Sequence, residues 1–304
     1  MKKFLYFLLF VLTIVFIYIK RDDITKDIVI KKMEDTLKFQ EANEYFKPYD
    51  YNYVQNTDNL YPENKQQLLN ILYTAINRGN EKVTFLCKYE ECIDDVNEIA
   101  ENKEYLAGIN NLVHPFNSYK NIYFTINKYG KIELTINKQY SETEIMLINN
   151  EINKIINEQN LDSLDTYDKL KAFHDYIINN TKYDTSINSE NQMTVDTNAN
   201  KATGLLLEGK AICSGYSDTI AIFLNKYRIN NYKISSSEHI WNLVKTEEGW
   251  MHIDATWDDP ISTDGRDILL HDFFLINTNE LYEKEKNLEE QEHDYNKSIY
   301  TEAN

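Results

Sequence analysis

Between Ile212 and Asp254 the apolar residues change period, and that change dictates which elements can pack on one another. Tyr216, Ile220, Phe223 or Leu224, and Tyr227 recur at helical spacing. Then His239-Ile240-Trp241-Asn242-Leu243-Val244 reads as a strand with His239 and Trp241 on one face. Glu247-Glu248-Gly249 turns the chain, and Trp250-Met251-His252-Ile253-Asp254 returns as the adjacent strand. The expected elements here are a helix and then an antiparallel hairpin, a mixed class.

The preceding chain supports the same class. Leu68, Leu69, Leu72 and Ile76 have helical spacing, ended by Arg78-Gly79-Asn80. Val83 to Leu86 reads as a strand, and a second helix is expected over Ile93 to Leu106. Ile122, Phe124 and Ile126 alternate, Asn127-Lys128-Tyr129-Gly130 turns, and Ile132, Leu134 and Ile136 alternate again, as a β-hairpin does. Long helices follow through Ile145–Ile156 and Leu164–Asn179. The polar stretch from Lys182 to Lys201 is expected to be a long loop that shapes a site. We read weak helical patterning around Ile28 to Phe39 and assign no function to Glu280–Asn304. The expected division is an N-terminal segment 1–21, a stalk and smaller α+β region over 22–160, and a second unit over 161–304.

Met1-Lys2-Lys3 precedes an unbroken apolar run from Phe4 to Ile19, closed by Lys20-Arg21-Asp22-Asp23. The run lies between a signal-peptide core and a full membrane span in length, and no small-x-small cleavage site follows it. It reads as an uncleaved signal anchor: a single-pass membrane helix with the remainder exported and the folded part extracellular. Secretion after cleavage is the alternative. The formal net charge of −17 argues against nucleic acid and against docking on anionic lipid, because no basic stripe exists to neutralise phosphates. Three cysteines in an exported chain allow one pair and one leftover. Cys87 and Cys92 can pair across a short turn, which leaves Cys213.

Cys213 stands in Gly209-Lys210-Ala211-Ile212-Cys213-Ser214-Gly215-Tyr216, at the start of the expected helix. A helix N-terminus favours thiolate over thiol, and the Cys213 amide would face an oxygen bound beside the sulfur. His239 and Asp254 begin one strand and end the next, so a hairpin can bring them opposite each other. Cys, His and Asp together are the parts of a nucleophilic acyl-transfer site. No histidine, cysteine and carboxylate run has zinc-ligand spacing, and no cofactor or metal is expected.

The three stretches Gly-Lys-Ala-Ile-Cys-Ser-Gly-Tyr, His-Ile-Trp-Asn-Leu-Val and Trp-Met-His-Ile-Asp-Ala-Thr-Trp-Asp-Asp-Pro resemble the motifs of the transglutaminase-like superfamily. More narrowly they look like the bacterial transglutaminase-core domains of exported proteins, over roughly Leu164 to Asn277. The resemblance implies a papain-like α+β fold, with the nucleophile helix packed on an antiparallel sheet that carries His and Asp. It implies Cys213 as nucleophile, His239 as base and Asp254 as orienting acid. Trp241 and Asn242 match residues of site architecture, and Tyr183 matches an aromatic oxyanion donor. His174 reads as a structural histidine, His252 as a residue able to line the cleft. Asp258 and Asp259 read as turn formers that would replace Asp254 if the strand register slipped. The activity implied is that of a cysteine peptidase, amidase or protein crosslinker acting on surface proteins or cell-wall peptides. The alternative is a non-catalytic surface binding or assembly module.

Overall fold

The computed structural model describes residues 37–187, 197–260, 270–286, 288 and 291–303. The expected signal anchor over 1–21 and most of the pattern around Ile28–Phe39 lie outside these residues. Among the described residues no helix is long and apolar enough to cross a membrane.

The first half builds α1 (Lys65–Asn77), β1 (Lys82–Leu86), α2 (Cys92–Glu101), α3 (Lys103–Leu112), β2 (Tyr119–Ile126), β3 (Lys131–Lys138) and α4 (Glu142–Glu158). β1, β3 and β2 form an antiparallel sheet in that order. The expected helix over Ile93–Leu106 is two helices. Asn102 ends α2 with an extended ψ of 100°, and its side chain accepts from the amides of Glu104 and Tyr105 to start α3. Asn competes for backbone donors in this way, which suits it to caps rather than helix interiors. Cys87 and Cys92 are joined in a disulfide at the start of α2.

The second half contains α5 (Thr166–Asn180), two-residue strands β4 (Lys182–Tyr183) and β5 (Lys210–Ala211), α6 (Cys213–Lys226), β6 (Asn231–Ser235), β7 (Ile240–Lys245), β8 (Trp250–Ile253), β9 (Phe274–Ile276) and α7 (Thr278–Glu285). β6 to β9 form a four-stranded antiparallel sheet in sequence order. The expected loop from Lys182 carries short elements among its described residues. β4 pairs with β5 in parallel, setting Tyr183 beside Ala211, and a short helical turn covers Asn198–Asn200.

That sheet stands between two apolar cores. Leu243 on β7 belongs with Trp241, Tyr232, Ile234 and the packed residues of α1, β1 and β3. Its neighbour Val244 belongs with Ile253 and the inward faces of α4, α5 and α6. Successive strand residues point to opposite sides, so both faces of the sheet are covered. The first core draws on both sides of residue 160, from Phe39 to Ala303. Each fully buried side chain such as Leu72 or Leu243 contributes roughly 1.5–3 kcal/mol of transfer free energy.

α6 lies against β7, and Asn242 ties the two: its Nδ2 donates to the Ser217 carbonyl at 2.9 Å. Gly215 permits the close approach at the start of α6. A Cβ there would meet the Ala199 carbonyl oxygen at 2.6 Å and Ala211 Cβ at 2.9 Å.

Candidate active site

Cys213 is the first residue of α6, and the cap residue Ile212 supplies no side-chain acceptor. The first-turn N–H groups of a helix have no intrahelical partners, so the sulfur sits where such donors converge. Ile212 is itself held in an extended conformation by donating to the Ala199 carbonyl at 3.0 Å. The Ser214 hydroxyl is buried with no hydrogen-bond partner among the described residues.

His239 immediately precedes β7 and closes a tight bend: its amide donates to Ser236 Oγ and its carbonyl accepts from the Ser236 amide, both at 3.0 Å. Asp254 immediately follows β8. The register pairs Asn242 with Ile253, so His239 and Asp254 lie at the same end of the hairpin. His239 Nε2 is hydrogen-bonded to Asp254 Oδ2, and the Cys213 side chain acts on the same ring. With Nε2 engaged by the carboxylate, Nδ1 is the nitrogen left for sulfur. The three residues expected from sequence therefore converge. All are enclosed, with Cys213 4%, His239 5% and Asp254 1% exposed.

The electrostatics follow from that enclosure. Burial would push the His239 pKa down, but the Asp254 carboxylate and then the thiol override it and hold the imidazole well above its ordinary value. Burial would raise Asp254, but His239 and then His293 override it and keep the carboxyl well below the usual carboxylate range. Four donors also fix the Asp254 side chain. Oδ1 accepts from the amides of Thr256 at 2.9 Å and Trp257 at 3.2 Å. Oδ2 takes His239 and, at 3.0 Å, His293 Nε2.

The remaining sequence candidates form the surroundings. Trp241 stacks under His239, with ring centroids 5.7 Å apart and planes 13° from parallel, and its Nε1 donates to His252 Nδ1. His252 is fully buried beneath the site, with its pKa pushed down to about 3 by that burial. It supports Trp241 and does not line a cleft. Tyr183 lies in β4 opposite Ala211, two residues before Cys213. His174 is buried with Nε2 3.1 Å from Asp258 Oδ2, and Asp258 accepts from the Phe273 amide. Asp259 accepts from the Tyr216 hydroxyl at 2.5 Å. Asp254, and neither of these later aspartates, meets His239.

Sequence reading missed His293, which comes from the segment given no function. It is fully buried, its Nδ1 lies 3.2 Å from Glu285 Oε1, and its amide donates to that same oxygen at 2.9 Å. Glu292, beside it, has Oε2 3.7 Å from His239 Nδ1. The run Glu289-Glu290-Gln291-Glu292-His293-Asp294 carries no periodicity that would place it. A groove of about 500 Å³ opens beside Ser214 and Ile240, the residues after Cys213 and His239.

Metal-ligand geometry, unlike metal-ligand spacing, does occur. His174, Asp175 and His271 each bring a ligand atom within 4.8 Å of the others, as do His239, Asp254 and His293. In the first cluster a cation is already present: Lys171 Nζ lies 2.8 Å from Asp175 Oδ2 and 3.1 Å from His271 Nε2. In the second, the atoms are spent on hydrogen bonds to one another.

No family model and no curated protein matches the chain. Two solved structures are similar in fold. One is described as a TGase, with 17% identity and a TM-score of 0.36 over 61% of this chain and 53% of its own. The other is described as a candidate cysteine protease from Cytophaga hutchinsonii, with 12% identity and a TM-score of 0.28 over 49% of this chain and 65% of its own. The chain thus matches about half the length of the first and under two thirds of the second.

Proposed function

We propose that this chain is a cysteine-dependent acyl-transfer enzyme of transglutaminase-like type, with Cys213, His239 and Asp254 as its triad. The observation that carries the reading is a single imidazole that is hydrogen-bonded to a buried carboxylate and acted on by the Cys213 side chain. The Cys213 sulfur, its proton passed to His239, attacks a carboxamide or peptide carbonyl carbon. The carbonyl oxygen takes the negative charge, and the Cys213 amide at the helix start donates to it, with Tyr183 as a candidate second donor. The C–N bond then breaks, and the leaving amine takes the proton from His239. Water or a second amine resolves the thioester, giving hydrolysis or crosslinking.

With residues 1–21 as a signal anchor, the substrates would be surface proteins or cell-wall peptides outside the membrane. The test is alkylation of the full chain with iodoacetamide, followed by mass spectrometry. Cys213 is expected to react faster than an ordinary thiol at neutral pH, and His239→Ala to abolish that excess. Equal rates in the two proteins would refute the triad. Incubation of a peptide amide with a primary amine then separates the two outcomes: exchange adds the amine less the released ammonia, and hydrolysis adds water less the released ammonia.

A further inference from the structure

We propose that His293, held by Glu285, is a positioning residue that fixes the carboxylate through which His239 is oriented. The inference deepens the acyl-transfer reading and rests on it. A carboxylate oxygen can only accept, so the proton on the 3.0 Å contact belongs to His293 Nε2. Asp254 Oδ2 is therefore shared by two imidazoles, one facing the nucleophile and one facing the protein interior. The inner ring cannot turn away. Its Nδ1 and its own amide both meet Glu285 Oε1; Phe273 stacks on it at 5.6 Å, and Trp241 and Trp257 meet it in edge contacts at 4.6 and 4.7 Å.

Glu285 ends α7 and is itself buried, so a chain of contacts runs Cys213, His239, Asp254, His293, Glu285. The ionisable groups around it are few and named. Asp254 is faced by His239 and His293, with His252 nearby; His293 is faced by Asp254 and Glu285, with His252 nearby; His239 is faced by Cys213, Asp254 and Glu292. The His293 hydrogen bond and charge both favour ionised Asp254. Removing them makes the carboxyl easier to protonate and leaves Oδ2 free to rotate from the histidine that moves the proton. Misplacement of a reacting group by an ångström costs about a hundredfold in rate.

The experiment measures the rate of Cys213 alkylation by iodoacetamide against pH in the full chain, with far-UV circular dichroism on each variant. His293→Phe keeps the ring packing and loses the donor. We expect it to slow alkylation about 10- to 100-fold near neutral pH and to move the acid limb upward by about one pH unit, the worth of one charge-assisted hydrogen bond. His293→Gln retains an N–H that reaches Asp254 and should stay within about threefold of wild type. Glu285→Gln should shift the limb in the same direction by less.

A folded His293→Phe protein with the wild-type rate and profile overturns the proposal, because a residue that merely packs would alter stability alone. Should that variant not fold, Glu285→Gln decides: an unmoved acid limb overturns the proposal, and an upward one supports it. Wild-type Cys213 reacting no faster than an unfolded-chain thiol refutes the triad itself, a result distinct from normal wild-type reactivity with an indifferent His293.

Discussion

Replacing Asp254 with Asn tests the site at its most constrained atom pair. Two backbone amides, those of Thr256 and Trp257, donate to Oδ1, so an Asn there must keep its oxygen on that side. Its NH₂ is then driven toward His239 Nε2 and His293 Nε2, a donor facing two donors. His239 can accept from that NH₂ only by moving its proton to Nδ1, the nitrogen that must receive the proton of Cys213. The tautomer is wrong for the chemistry although the volume is unchanged. The equivalent substitution in serine proteases lowers kcat about 10⁴-fold for this reason, and a loss of about that size is expected here. Stability falls too. Two hydrogen bonds to a charged acceptor, each worth about 1.5–3 kcal/mol, are lost, and the relief of no longer burying an anion offsets part of that. The assay pairs iodoacetamide alkylation of Cys213 across pH with urea unfolding. Asp254→Asn reacting at the wild-type rate with the wild-type pH profile would refute the assignment of Asp254 as the orienting acid.

Two further perturbations probe the fold around the site. Lys47 is buried with its ammonium donating to the Asn231 carbonyl at 2.5 Å, and burial, aided by Lys233, pushes its pKa down to about 7. Between that value and the unfolded value near 10.4 the unfolded chain binds the extra proton, so this residue makes stability rise with pH. Lys47→Met should stabilise the protein at pH 6 and remove that rise, read as the difference between wild-type and variant urea curves from pH 6 to 10; parallel curves would refute it. Gly215→Ala places a methyl 2.6 Å from the Ala199 carbonyl, which is backbone and cannot yield cheaply. A cost of about 1–3 kcal/mol and slower Cys213 alkylation are expected, and an unchanged melting temperature would contradict that.

What could be read from the letters was whatever rests on local periodicity. The face Tyr216–Tyr227 and the two alternating runs ending at Val244 and Asp254 gave α6, β7 and β8, and their order alone brought Cys213, His239 and Asp254 within reach of one another. The hairpin of β2 and β3 and the helix α4 followed in the same way. The break at Asn102 went unread because apolar spacing continues through it, and one side chain's hydrogen bonds decided the outcome. β4 and β5 are two residues each, too short to show any period. His293 was invisible for a different reason: its segment is placed by tertiary contacts with Glu285, Asp254 and three aromatic rings, none of which leaves a repeat in the sequence.

Because Leu243 and Val244 answer to different cores, the sheet that carries the histidine and its acid has no solvent side to relax toward. Cutting the chain at 160 would divide the core to which Trp241, the ring on which His239 rests, belongs. The amino-terminal half is thus a mechanical backing for the reactive end of the molecule. A fragment meant to keep the site intact has to carry that backing with it.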